Sequence, residues 1–229
     1  MKRRYPWIAQ QSWQDVLFIH TPVSPQNLRR FVPAPFKIDT YDGSGWMSLV
    51  IFRATNSRLR YMPKWLSYPP FYQMNMRTYV RFGNERGVYF FSLNTNSRLV
   101  SAGGRAVSLP FRQVPMMIRK ENDRLLFRGD PLPVGQKGML QGTYQPYSSV
   151  FKPKINSLSH FLTERYCIWM IRNNRLVKAP INHEQWRLQQ TYITIQENQN
   201  IHFTNDTFSH YCDYLHSVVY PFENIGIIS

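Results

Sequence analysis

The stretch QMNMRTYVR at residues 73–81 gathers polar chemistry on one side of an extended chain. Side chains two apart in a strand share a face, so Gln73, Asn75, Arg77, Tyr79 and Arg81 point one way while Met74, Met76, Thr78 and Val80 point the other. Amides and a guanidinium in one row can orient a ligand by hydrogen bonds and grip a carboxylate, but a neutral amide cannot serve as a general acid or base. The polar face is either the solvated side of an antiparallel sheet or the wall of a ligand cavity inside a barrel.

Other chemistry-bearing residues are scattered. His210, Cys212 and His216 offer metal-ligating atoms, and the first two share a strand face, yet zinc sites need a tighter set with a defined fourth group, so no metal is expected. The sequence holds no G-x-S-x-G elbow, no H-E-x-x-H pair, no P-loop and no dinucleotide fingerprint, and no cofactor is expected. Glu164, Arg165 and Tyr166 stand where a helix gives way to a strand. Their plain reading is structural, with Glu164 and Arg165 pairing with neighbours and Tyr166 anchoring its hydroxyl; if a pocket holds an acid, Glu164 is the candidate.

Positioning such residues takes a core, and 229 residues supply one, read as a single domain over residues 1–229. Hydrophobic residues at 43% and aromatics at 15% exclude a disordered or collagen-like chain. Cys167 and Cys212 are too few for a disulfide framework, and no apolar run approaches the roughly 18 residues of a spanning helix. The opening MKRRYPWIAQQSWQD breaks into Gln, Ser and Asp after its basic start, unlike a secretory signal, so a cytoplasmic protein without a transmembrane segment is expected.

The net charge of +15 is uneven: residues 1–120 carry 18 Lys and Arg against 4 Asp and Glu, and the remainder carries 10 against 9. Such a field attracts phosphate backbones, acidic lipid or a carboxylate ligand, although charges this dispersed also make an ordinary soluble surface.

Most segments read as strands. Residues 15–23, 46–52, 74–82 and 87–93 are rich in β-branched and aromatic residues between Gly and Pro clusters, and 114–119, 124–128, 166–172, 188–196 and 216–220 are further candidates. Ser24 caps a helix with Pro25 at its first position, and Pro33 confines that helix to about residues 25–31. Asn156 and Ser157 cap a second helix ending near Arg165. Segments 53–70 and 141–154 read as long loops, the first mixing cations with Tyr61, Trp65 and Tyr68 so that it either covers a pocket or touches an anionic membrane. Many short strands with few helices predict a mainly β (α+β) fold, an antiparallel barrel closed or nearly so.

Several motifs in order, DVLFIHTPVSPQNLRRFVPAPFKIDTYDGSGW, FYQMNMRTYV, GVYFFSL, AGGRAVSLPFR, SLSHFLTERY and the stretch from His183 through Trp186, resemble the YqjF-like (DUF2071) family of the acetoacetate decarboxylase-like superfamily. The resemblance runs through nearly the whole chain. It implies an antiparallel β-barrel with an internal pocket and a few short helices.

Decarboxylases of that superfamily use a lysine, its pKa depressed by an apolar site and a second lysine, to form an imine with a β-keto acid. Laying AGGRAVSLPFR on their motif, with a one-residue gap before the proline, puts Phe111 at the imine-forming position and Arg112 beside it. Phenylalanine forms no imine, and a guanidinium stays protonated, although it can hold a carboxylate. Lys37, Lys64 and Lys120 stand outside the motif.

The resemblance also sets Gln73 where a pocket glutamate is usual, which exchanges a proton carrier for a neutral amide. His20 falls near a substrate-facing arginine of the decarboxylases. A buried, hydrogen-bonded histidine is its plain reading, and a titratable pocket group is the other. With Arg77, Arg105 and Arg112 it would make a cationic lining for an acidic ligand.

These residues predict a protein that binds a small hydrophobic or acidic molecule in an internal cavity, without Schiff-base decarboxylase activity. The candidate ligand contacts are His20, Gln73, Asn75, Arg77, Arg105, Phe111, Arg112 and Glu164. Lyase, hydratase or isomerase chemistry on a carbonyl compound through Arg and His electrostatics is the alternative. Nucleic-acid binding is disfavoured, because there is neither a basic tail nor a recognisable module. No motif fixes an oligomeric state.

Overall fold

Strand-forming runs separated by turn residues assemble into one mainly antiparallel sheet in the computed structural model, which describes residues 5–63, 65–133, 135–136, 138–196 and 203–227. Lys64 and the basic residues of the opening, 2–4, lie outside the described residues.

β1 (Ala9–Val23) runs into α1 (Pro25–Arg29), where the Ser24 hydroxyl accepts the Asn27 N–H at 3.2 Å and caps the helix from the position the sequence predicts. Arg29 then donates to the carbonyls of Val32, Pro33 and Phe36, which ties down the VPAPF turn. β2 (Lys37–Ile38), β3 (Gly45–Leu59), β4 (Phe71–Phe82) and β5 (Glu85–Thr95) lead to α2 (Arg98–Ala106) and β6 (Phe111–Gln113). Next come β7 (Met117–Glu121), β8 (Arg124–Gly129), β9 (Leu140–Pro146), α3 (Leu158–Thr163), β10 (Cys167–Arg172), β11 (Arg175–His183), β12 (Gln189–Gln196), β13 (Phe208–Val219) and β14 (Glu223–Ile227).

The strands lie in the order β14-β11-β10-β5-β4-β3-β1-β13-β12-β9-β8-β7, and β13 also pairs back onto β11 through Ile181 opposite Val219 and His183 opposite Ser217. The pairings of β1, β3, β4, β5, β10, β11 and β13 therefore return on themselves in a closed circuit. β12, β9, β8 and β7 continue from that circuit as an arm.

Side-chain alternation places two cores back to back. Leu17, Ile19, Leu49, Ile51, Met74 and Met76 leave the circuit outward and pack against Leu125, Phe127, Leu140 and Tyr144 of the arm. Val16, Phe18, Val50 and Phe52, their neighbours in sequence, turn inward with Trp186 and Leu188. Burial on both faces explains why 16–19 and 49–52 are continuous apolar runs rather than alternating ones. Each fully buried Leu, Ile or Phe contributes roughly 1.5–3 kcal/mol of transfer free energy.

Several predicted boundaries need correction. β1 begins at Ala9 rather than Asp15, because a register break between Gln14 and Leu17, with Asp15 at φ 53°, interrupts the pattern without ending the strand. Segment 53–70 is not wholly loop, since β3 continues through Leu59, and segment 141–154 opens within β9. α2 is absent from the prediction because Gly103 and Gly104 each lower helix propensity by about 1 kcal/mol relative to alanine. β10 and β11 form a hairpin whose two loop residues, Asn173 and Asn174, both have positive φ (48° and 56°), a turn signal the sequence carries openly. Among the described residues no helix is long and apolar enough to cross a membrane.

Candidate functional site

The inward face of the closed circuit surrounds a cavity of about 320 Å³. Trp13 and Phe18 of β1, Phe52 of β3, Gln73, Asn75 and Arg77 of β4, Phe90 of β5 and Phe111 of β6 contribute to its wall, joined by Arg165, His183 and Trp186. Of the polar side of β4, Gln73, Asn75 and Arg77 are thus cavity wall, with Gln73 and Asn75 only 5% and 6% exposed, whereas Tyr79 is buried outside the lining and Arg81 is the solvated end of that face.

Aromatic packing shapes the wall. Trp13 stacks on Trp186 with ring centroids 5.8 Å apart, and Phe18 meets Trp186 edge-on at 4.8 Å. Phe111 is held from behind by α2: a Cβ added at Gly104 would stand 2.1 Å from the Phe111 ring, so only glycine leaves room for that ring.

Asn75 donates to Gln73 Oε1 at 3.4 Å. The Arg77 Nη2 donates to the Leu162 carbonyl at 3.1 Å, and its guanidinium lies 5.6 Å from the Phe18 ring. The Arg165 Nε donates to the Phe161 carbonyl at 2.6 Å, and its Nη1 pairs with Asp39 Oδ2 at 2.7 Å. Burial lowers the Arg165 pKa, while Asp39 opposes that shift. Arg77 Nε, Arg165 Nη2, Asn75 Oδ1 and the indole nitrogens of Trp13 and Trp186 have no hydrogen-bond partner among the described residues. Four of those five orphaned groups are donors.

The two guanidinium groups differ in their counterions. Arg165 has Asp39, whereas among the described residues no carboxylate pairs with Arg77. Among the described residues, neither a carboxylate nor a lysine lines the cavity.

His183 is the histidine of the wall. Its Nδ1 lies 2.7 Å from the Glu184 carbonyl and therefore carries the proton there, and its ring stacks on Tyr166 at 4.6 Å. Burial lowers its pKa against the opposing pull of the Glu184 carbonyl.

His20 is absent from the cavity's lining residues and sits fully buried behind the wall. His20 Nδ1 is 2.6 Å from Ser48 Oγ, Ser48 Oγ is 2.5 Å from the Tyr79 hydroxyl, and that hydroxyl donates to the Leu162 carbonyl at 2.9 Å. On the other side His20 Nε2 is 3.2 Å from His210 Nδ1, and His210 Nε2 is 3.2 Å from Ser159 Oγ.

A carbonyl can only accept, and each hydroxyl or neutral imidazole has one proton to give, so the direction of every bond is fixed. Ser159 donates to His210, His210 to His20, His20 to Ser48, Ser48 to Tyr79 and Tyr79 to Leu162. The Leu162 carbonyl at the end of this chain is the same one that receives Arg77.

The remaining predicted contacts lie elsewhere. Arg105 is exposed on α2, where Nη1 donates to Ser101 Oγ at 3.0 Å, so it is no part of a cationic lining. Arg112 does grip a carboxylate, but one of this chain: Nη2 is 2.7 Å from Asp130 Oδ1, and Nη1 donates to the Gln136 carbonyl at 2.7 Å. Glu164 fastens the wall from outside, accepting the Trp186 N–H at 3.0 Å and the Tyr166 hydroxyl. Burial, with the Glu164 contact, pushes the Tyr166 pKa up.

Much of the wall escaped the sequence-based set, Trp13, Phe18, Phe52, Phe90, Arg165, His183 and Trp186 among it. Arg165 was assigned a structural pairing, which it has, and His183 and Trp186 belong to a recognised motif without an assigned role. Among the described residues no three His, Cys, Asp or Glu side chains converge as a metal site. The rings of His210 are engaged as above, and the Cys212 thiol donates to the Tyr214 carbonyl at 3.4 Å.

The family model DUF2071, described as an uncharacterized conserved protein, matches residues 10–219. The uncharacterized protein YqjF of Bacillus subtilis (strain 168) is 36% identical over 197 residues, spanning 84% of this chain and 79% of that one. Among solved structures, an acetoacetate decarboxylase-like enzyme from Sphingomonas wittichii RW1 superposes with a TM-score of 0.65 at 9% identity, covering 98% of this chain and 95% of its own. Acetoacetate decarboxylase from Legionella pneumophila gives a TM-score of 0.63 at 14% identity over 100% of this chain and 90% of its own. At such identities the two structures establish a shared fold.

Proposed function

The chain belongs to the DUF2071 family, and on that premise we propose that it is a single-domain β-barrel protein whose internal cavity binds a small hydrophobic acid without Schiff-base chemistry. The observation that carries this reading is Arg77, a guanidinium in the cavity wall with no carboxylate partner among the described residues. A poorly solvated cation lacking a counterion is costly, and a ligand carboxylate supplies one.

The rest of the wall suits the remainder of such a ligand. Trp13, Phe18, Phe52, Phe90 and Trp186 offer an apolar bed. The orphaned Arg and indole donors outnumber the single orphaned acceptor, Asn75 Oδ1, which favours an acid over a cation. Gln73 and Asn75 set orientation by hydrogen bonds and carry no proton to transfer.

Phe111 stands in the wall at the position that the family resemblance gives to the reactive lysine. An aromatic ring there offers packing surface and no amine, so imine formation has no nucleophile at that point.

The test is calorimetric titration with aryl and alkyl carboxylic acids and with their uncharged amides. Acids are expected to bind at least about tenfold more tightly than matched amides, with Arg77→Gln erasing the difference. Equal affinity for acid and amide would remove the basis of the proposal. Mass spectrometry of the titrated acid decides between binding and turnover: an unchanged compound fits a binder, and conversion that His183→Asn abolishes assigns catalysis to the same cavity.

A further inference from the structure

The segment after β3 is built for a different contact. The bridge between Ser57 and Tyr68, with Tyr68 N–H donating to the Ser57 carbonyl at 2.7 Å, closes the base of an excursion whose tip carries Tyr61 and Trp65 at 92% and 84% exposure. Leu59 and Leu66 are also exposed there. The start of β1 lies alongside: Ala9 pairs with Leu59, the Arg60 N–H donates to the Ile8 carbonyl at 2.9 Å, and Ile8 is exposed as well.

Cations rim this apolar tip. Arg58 and Arg60 both lie over the Trp7 ring, at 5.1 and 5.2 Å from its centroid, so their guanidinium groups are held at the edge of the patch. No Asp or Glu occurs between Asp42 and Glu85, and none precedes Asp15.

We propose that this surface docks on an anionic phospholipid bilayer, with Tyr61, Trp65, Leu59 and Leu66 entering the interfacial layer and Arg58 and Arg60 meeting lipid phosphates. Bulky aromatics and leucines ringed by arginines match the headgroup boundary, where apolar burial and attraction to acidic lipid add together. A single-stranded nucleic acid would use the same cations but a stacking groove, and here the apolar groups form a protruding tip that includes aliphatic side chains. Ile8 belongs both to this surface and to the cavity wall, so the cavity wall reaches the surface beside the bilayer. The docking proposal stands independently of what the cavity holds.

Flotation of the full chain with vesicles of phosphatidylcholine, with and without phosphatidylglycerol, tests it. Binding is expected only with phosphatidylglycerol and is expected to fall as salt rises. Arg58→Gln and Arg60→Gln each weaken partitioning roughly fivefold. Trp65→Ser with Tyr61→Ser removes binding while circular dichroism stays native, since both side chains are exposed. Failure to float on anionic vesicles at low salt overturns the proposal. So does a single-stranded oligonucleotide that binds the same arginines and that vesicles fail to displace.

Discussion

His210 donates its Nδ1–H to His20 Nε2 across 3.2 Å, and that one bond fixes the tautomer of both rings. His20 is left with its proton on Nδ1 for Ser48, and His210 with a lone pair on Nε2 for Ser159. Two neutral imidazoles complete the chain. A charged pair cannot, because two imidazolium ions would present N–H to N–H at the same contact.

Acid should therefore attack the fold through this pair. Burial lowers both pKa values, that of His210 to about 4 from an ordinary 6.5, and the neighbouring His210 and Arg77 lower that of His20 further. Below the ordinary value the unfolded chain binds the protons that the folded chain refuses, so stability is complete above about pH 6.5 and drains away as pH falls toward 4. The loss through His210 alone is on the order of 2–3 kcal/mol. Urea denaturation across that range checks it, with His210→Gln expected to flatten the slope; an unchanged slope would mean the pair is not buried neutral.

The two glycines of AGGRAVSLPFR should respond oppositely to alanine. Gly103 has open space where a Cβ would go, so Gly103→Ala stabilises α2 by about 0.5–1 kcal/mol. At Gly104 the same change meets the Phe111 ring at 2.1 Å, and overpacking of roughly 1–3 kcal/mol outweighs the helix gain. Thermal melts of the two variants should shift in opposite directions.

Asp39 is expected to be among the costly polar positions. It lies opposite Arg165 at 2.7 Å with both side chains nearly inaccessible, and Arg86 approaches the same oxygen at 3.6 Å. Asp39→Asn leaves the Arg165 charge uncompensated and should cost roughly 3–5 kcal/mol, whereas Asp39→Leu combined with Arg165→Met should cost less than the single change. Chemical denaturation of the three proteins decides the order.

What the sequence made legible follows from what its residues must do locally. Ser24-Pro25 and Ser157 announce caps because side-chain acceptors satisfy helix N–H groups within three residues. The alternation of Gln73, Asn75 and Arg77 announces a polar face because period two is obligatory in a strand. Trp13 and His183 gave no such signal: they meet only because β1 and β11 both pair with β13, a closure between residues far apart in sequence. Arg112 misled for the same reason, since its partner Asp130 comes from beyond the next strand pair's turn. The two glycines of α2 hid that helix, and only for Gly104 does the Phe111 ring supply a reason.

Phe111→Lys should place an amine where the wall has a ring. The position is nearly buried among apolar side chains with Arg77 and Arg165 in the same cavity, so desolvation and like charge both depress the new ammonium's pKa. A neutral amine in such a site attacks ketones. Borohydride reduction in the presence of acetoacetate should therefore label the variant at residue 111 and leave the unaltered chain unlabelled, as read by peptide mass spectrometry. Equal labelling of the unaltered chain would place a reactive amine elsewhere. A folded Phe111→Lys protein that resists labelling would show that residue 111 does not present its side chain to the cavity, and the assignment of the ring to the amine's place would fall with it.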